Sequence, residues 1–195
     1  MQELSLHILD IAQNSVTAGA EHIEIAVTED LTADLFEIVI TDDGRGMDAE
    51  LLARVTDPFA TTRTTRRVGL GIPMFMQAAT SCGGSFHIES EPGRGTQVRA
   101  TFLHSHIDRQ PLGDMAGVLS LLISSNPELA FCYTHVVRCA GGSREFRFDS
   151  QQIRQILGEV SVALPEVSQW IREYAAEQEE ELGRFVNDNR KDGSI

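Results

Sequence analysis

The chain has 195 residues, enough for one domain of ordinary size or for a domain with a small appendage. Its 42% hydrophobic and 23% charged residues suit a globular chain that buries a core, and no apolar run nears the ~20 residues that a bilayer-spanning helix needs. The net charge of −13, from 16 basic and 29 acidic residues, argues against nucleic acid or an anionic membrane as the main partner.

The first residues, Met1-Gln2-Glu3-Leu4, lack the basic start of a secretion signal, so a cytoplasmic location is expected. Leu4, Ile8, Ile11, Ala12 and Val16 recur at helical spacing and predict a helix over residues 3–18, closed by Gly19. His7, Asp10 and Asn14 share another side of that helix. They form either a solvated face or a polar stripe that needs partners wherever it is buried. His22 to Val27 alternates in the manner of a strand, and a short polar connection over residues 28–34 leads to a second strand, Leu35 to Ile40, as in a hairpin.

That second strand runs into Thr41-Asp42-Asp43-Gly44-Arg45-Gly46-Met47, and a helix start follows at Asp48. A carboxylate at a strand end accepts hydrogen bonds from an amino group and rejects carbonyls, and glycines beside it let a flat ring approach the backbone. The stretch fits a purine pocket; it also fits a plain Asp-Gly turn between a strand and a helix. Residues 57–67 show no periodicity and predict a loop. Arg63, Arg66 and Arg67 there point, in so acidic a chain, to a small anionic ligand or to a solvated basic loop. Thr61, Thr62, Thr64 and Thr65 add hydroxyl donors for phosphate oxygens. Gly69-Leu70-Gly71 then precedes a helix with Pro73 in its first turn, running to about Cys82 and stopping at Gly83-Gly84. Free N–H groups and the positive end of a helix dipole favour phosphate at such a place.

Ser85 to Ser90 and Thr96 to Phe102 predict a strand pair across Glu91-Pro92-Gly93-Arg94-Gly95, with His87 on its surface. The pattern breaks over residues 105–111. Beyond it the sequence predicts a helix over 114–124, strands over 129–137 and 144–148, and helices over 151–160 and 165–182. The acidic run Glu177 to Glu181 reads as a partner surface or a solvated face, and residues 187–195 are expected to fray. Cys82, Cys132 and Cys139 have no metal-ligand spacing and are expected to be reduced core residues.

Several of these pieces, in this order, resemble the GHKL superfamily of type II topoisomerases, heat-shock chaperones, histidine kinases and mismatch-repair ATPases. They are the helix carrying Asn14, the strand ending in Asp42-Asp43-Gly44-Arg45-Gly46, the loop Asp57-Pro58-Phe59-Ala60-Thr61-Thr62, the Gly69-Leu70-Gly71 turn and the hairpin Gly93-Arg94-Gly95-Thr96. The resemblance covers residues 1–105 and implies a two-layer α/β sandwich, a mixed sheet with helices on one face and ATP between the helices and a lid. Residues 108–186 would be a small C-terminal α/β extension of unassigned role. The resemblance implies that Asn14 holds Mg²⁺ against the phosphates, that Asp42 accepts from the adenine amino group, and that Gly44 and Gly46 shape the wall. Residues 57–68, with Thr61, Thr62, Arg63, Arg66 and Arg67, would form the lid; Gly69, Leu70 and Gly71 would meet the phosphates, and Thr96 would close the adenine end.

The lid and last hairpin are similar to sensor histidine kinases, and Asn14-Ser15 with Ala18-Gly19-Ala20 to mismatch-repair ATPases. Many histidine kinases carry Asn at the position of Asp10; hydrolysing members and anti-sigma-type serine kinases carry Glu there as general base. Asp10 offers the same chemistry on a side chain one methylene shorter. None of the six histidines sits in a phosphoacceptor setting, so autophosphorylation in the sensor-kinase manner is not expected. The expected function is Mg-ATP binding with phosphoryl transfer to a separate protein in signalling. The alternatives are an anti-sigma-type serine kinase, an ATP-gated protein-binding switch and a slow ATPase; the oligomeric state is open.

Overall fold

The computed structural model describes residues 3–56 and 71–191. The first helix, α1 (Leu4–Thr17), buries Leu4, Ile8, Ile11 and Ala12 along one stripe, as its periodicity requires. It ends at Gly19, whose φ of 76° is the left-handed conformation that closes helices. Strands β1 (His22–Asp30) and β2 (Leu35–Asp42) form the expected hairpin and pair antiparallel from Ile23↔Asp42 to Asp30↔Leu35. Helix α2 (Ala49–Thr56) follows, and on the far side of residues 57–70 comes α3 (Gly71–Ser81), which starts two residues before Pro73. The second hairpin is β3 (Phe86–Glu91) with β4 (Gly95–Leu103), and β4 pairs antiparallel with β2.

The remaining elements are α4 (Met115–Ser125), β5 (Ala130–Cys139), β6 (Gly142–Asp149), α5 (Ser150–Leu157) and α6 (Pro165–Lys191). Strand β5 lies parallel to β1, His22 opposite Ala130, and β6 pairs antiparallel with β5. The result is one mixed six-stranded sheet in the order β3-β4-β2-β1-β5-β6. The strand period of two sends Ile23, Ile25, Val27, Ile38, Ile40, Val98, Ala100, Phe131 and Tyr133 to one face, where they form a single apolar core with α1, α3, α4 and α6. Glu24, Gln97 and Arg99 turn the other way and are exposed. This is the two-layer α/β sandwich expected from the sequence, and residues beyond 108 continue the same sheet and the same helical layer.

Two local expectations change. Helix α6 continues past 182 and past 187, where fraying was expected, as far as Lys191. Its acidic run is not all solvated. Glu179 is half-buried; it accepts from Tyr133 Oη at 2.7 Å and lies 2.9 Å from His135 Nδ1, because α6 packs on the β5–β6 end of the sheet. All three cysteines are free, Cys82 buried and the other two half-buried. His87 is on the surface, 2.9 Å from Glu89.

Candidate nucleotide site

The cleft lies where β2 ends, between the C-terminal half of α1, the segment 42–47, α2 and the β3–β4 hairpin. The cavity holds about 180 Å³ and is open at its mouth. Asn14, Ser15, Asp42, Gly46, Met47 and Thr96 line it, with an apolar wall that includes Ile11, Ile72, Ile88 and Val98. An apolar slot with one carboxylate at its end suits a flat base carrying an amino group.

Asp42 is buried at 8% exposure. One carboxylate oxygen accepts from Ser15 Oγ at 2.6 Å and the other from the Gly44 N–H at 2.9 Å. Among the described residues each oxygen takes one donor, so the group is held in place with a lone pair on each oxygen left to accept. Ser15 can reach it because it sits on the buried side of α1; its single hydroxyl proton goes to Asp42, and the Ile11 carbonyl lies 3.3 Å from the same oxygen. Thr96 is directly opposite Asp42 in the β2–β4 ladder, and its hydroxyl lies 2.9 Å from Ser90 Oγ. Ser90 in turn accepts from the Met47 N–H at 2.8 Å, tying the 42–47 segment to the hairpin.

The glycines are required by close backbone approach. Gly46 has φ 65°, and a Cβ there would fall 1.9 Å from the Glu91 carbonyl oxygen. At Gly44 a Cβ would meet Ala18 Cβ and Asp42 Oδ1, each at 3.0 Å. Gly95 packs in the same way on the Asp42 backbone, its absent Cβ 1.8 Å from the Asp42 carbonyl oxygen. So these glycines let the chain, rather than a ligand alone, come close. Asp43, which had no evident task in the sequence, accepts from the N–H groups of Glu21 and His22 at 2.8 and 2.9 Å and fixes the start of β1. Burial pushes its carboxyl up, but those backbone donors outweigh it and hold it below the usual range.

At the other end, Gly71 opens α3 against Asp10. A Cβ on Gly71 would lie 3.1 Å from Asp10 Cβ and 3.2 Å from Asp10 Oδ2. The half-buried carboxylate therefore sits at the positive end of a helix, one turn before the exposed Asn14. The stripe His7, Asp10, Asn14 is graded: buried, half-buried, exposed. Thr61, Thr62, Arg63, Arg66, Arg67, Gly69 and Leu70 lie outside the described residues. Sequence reasoning missed Ser15 and Ser90 as supports. Ser15 had a signal in its place beside Asn14, on the α1 side that faces the sheet; Ser90 had none, since its role depends on register.

Residues 2–106, more than half of the chain, match the family described as histidine kinase-, DNA gyrase B- and HSP90-like ATPase. The chain belongs to that ATPase family. Among similar curated proteins is sporulation kinase D of Bacillus subtilis, 32% identical over 94 residues, which cover 48% of this chain and 18% of that protein. Another is the sensor protein kinase FleS of Pseudomonas aeruginosa, 35% identical over 89 residues, 46% of this chain and 22% of that one. A third is the non-motile and phage-resistance protein of Caulobacter vibrioides, 30% identical over 112 residues, 53% of this chain and 13% of that one. The matches span about an eighth to a fifth of the length of these relatives. Among solved structures, the Aquifex aeolicus MutL ATPase domain complexed with ADP covers 80% of this chain and 69% of that chain at 12% identity and a TM-score of 0.49.

Proposed function

We propose that the protein binds Mg-ATP in this cleft and transfers the γ-phosphoryl group to a separate protein in a signalling pathway. The observation that carries the reading is the buried Asp42 carboxylate, held by Ser15 and Gly44 with accepting capacity left over at the end of an apolar slot. It would accept from the adenine amino group, with Thr96 closing that end and Gly46 forming the wall. Asn14 lines the cleft and is exposed, and its amide oxygen is a hard donor suited to Mg²⁺, an ion that takes few protein ligands when phosphates supply the rest. The ion would offset phosphate charge. The N-terminus of α3 at Gly71 would meet the phosphates, with Gly69, Leu70 and the lid residues Thr61, Thr62, Arg63, Arg66 and Arg67 as further donors.

Phosphoryl transfer needs mainly positioning and charge neutralisation. Asp10 would take the proton of the attacking group, a serine hydroxyl in the anti-sigma-like case or water in a slow ATPase. A second reading has its own support: α4 packs on α1 and β5 lies beside β1, so a change at the nucleotide could reach the C-terminal elements and alter a partner surface. A cytoplasmic location and a protein partner rather than nucleic acid or membrane fit the −13 charge, and no helix among the described residues is long and apolar enough to cross a membrane.

Incubation with γ-labelled ATP and Mg²⁺, alone and with cell extract, separates these readings. Label on another protein supports transfer, and free phosphate that is lost in Asp10→Asn supports hydrolysis. Tight binding with neither supports the switch. Wild-type protein that binds no ATP would overturn all three.

A further inference from the structure

Helices α1, α3, α4 and α6 all pack on one face of the sheet. The opposite face carries the other half of each strand's side chains, and none of those described is fully buried. Its centre is small and flat. Val39, Ala26 and Thr134 are neighbours across β2, β1 and β5, and Thr28 lies beside Val136. The charged groups around this centre are sorted by level along the strands. Level with Glu24, the outer strands add Glu89 and Asp149. Level with Ala26 come His87 and Arg99 on one side and Arg147 on the other. Level with Thr28 come Glu37 and Glu145. An acidic row is thus followed by a basic row and then by another acidic row. Arg99 is paired with Glu37 at 2.6 Å. Arg147 and Glu145, on the edge strand β6, are exposed and have no ion-pair partner among the described residues.

We propose that this face is the interface of a two-fold homodimer, in which two sheets pack face to face with their strands antiparallel. Rows of alternating sign are complementary to themselves when reversed. A two-fold axis running along the rows, midway between the Ala26 and Thr28 levels, lays each basic row on the other copy's acidic row. Each contact then occurs twice, as isologous symmetry requires. Arg147 of each copy faces Glu145 of the other at the edge, while Ala26, Thr28, Val39, Thr134 and Val136 pack in the middle. Side chains this small let two sheets close to the ~10 Å separation of a β-sandwich. They offer neither a deep pocket nor a large aromatic anchor, the features that hold most unlike partners.

The area is sufficient. Six strands about 4.8 Å apart, the central ones rising about 3.3 Å per residue, make a face of about 24 by 27 Å. With the relief of its side chains that is the order of the ~800 Å² per partner that specific interfaces bury. The nucleotide cleft is built on the helix side, by α1 and α2 among others, and stays open in such a dimer. The dimer therefore stands or falls independently of what the cleft binds.

Sedimentation equilibrium of the full chain from about 1 to 100 μM tests the interface. Wild type is expected at twice the chain mass. Ala26→Arg puts a charge at the centre of the face and should leave a monomer with unchanged circular dichroism. Arg147→Glu and Glu145→Arg are exposed edge substitutions that leave the core alone, and each should weaken dimerisation roughly tenfold or more. The double variant restores opposite signs across the axis and should regain dimerisation to within about threefold of wild type. If Ala26→Arg fails to fold, the charge reversals decide alone. A wild type that stays monomeric, alone or bound to another protein, overturns the interface, and so does a dimer that survives the substitutions on this face. A double variant no tighter than the single ones overturns the two-fold register.

Discussion

Asp42 shows how much of this site lies in a few contacts. Its carboxylate is useful because Ser15 and Gly44 hold it while leaving it able to accept. Ser15→Ala removes the 2.6 Å contact and leaves a buried carboxylate with one donor fewer. ATP affinity measured by calorimetry should fall several-fold, in line with about 1 kcal/mol for a lost hydrogen bond. Gly46→Ala acts differently. It places a Cβ 1.9 Å from the Glu91 carbonyl oxygen at a φ of 65°, so backbone must move. Stability in urea should drop by about 1–3 kcal/mol, with the cleft distorted as well. The same substitution at Gly93, where a Cβ meets nothing within 4 Å, should cost less, since only the φ of 77° opposes it.

At the scale of elements, the join between the ATPase core and the C-terminal elements is partly ionic. His135 on β5 is 4% exposed in its side chain, with Glu179 of α6 at Nδ1, 2.9 Å, and Glu29 of β1 at Nε2, 3.2 Å. His104, just after β4, meets the same Glu29 at 2.6 Å. Two carboxylates facing both ring nitrogens require both to carry protons, so His135 is an imidazolium. Burial opposes its charge, but the bonds to Glu179 and Glu29 outweigh that and raise its pKa from 6.5 to about 9. Burial likewise opposes ionised Glu29, and the two histidines bring it from 4.5 down to about 2. His135 therefore contributes stability that is full below pH 6.5 and is lost as pH rises through about 9. Glu29 contributes stability that is present above pH 4.5 and lost as pH falls through about 2. Urea unfolding between pH 7 and 10 should show stability falling with pH. His135→Gln should flatten that slope and lower stability at pH 7 by about 3–5 kcal/mol, the usual effect of removing one partner from a buried ion pair. An unchanged slope would show that His135 does not carry the charge.

For the whole molecule, periodicity and turn chemistry made most of the fold legible. The α1 stripe, the β1–β2 and β3–β4 hairpins and the start of α3 near Pro73 follow from local pattern, and the order of motifs pointed to the family. Less legible was everything set by register between distant segments. No local signal places β5 parallel to β1, since a parallel pairing depends on a crossover rather than a turn. For the same reason the sequence did not show Glu179 reaching Tyr133, Ser90 bridging Met47 and Thr96, or His7 stacked under Phe75. His7 shares a stripe with exposed Asn14, and helical spacing alone does not tell where along a stripe the core ends. The central claim is that Asp42 reads the base of a bound nucleotide. Calorimetric titration of wild type and Asp42→Ala with ATP and with GTP, both with Mg²⁺, tests it most directly. Wild type should show one saturable ATP site per chain, with GTP much weaker because a carboxylate repels its carbonyl, and a still-folded Asp42→Ala should bind ATP at least tenfold more weakly. Equal affinity for ATP and GTP, or unchanged ATP binding in Asp42→Ala, would contradict it.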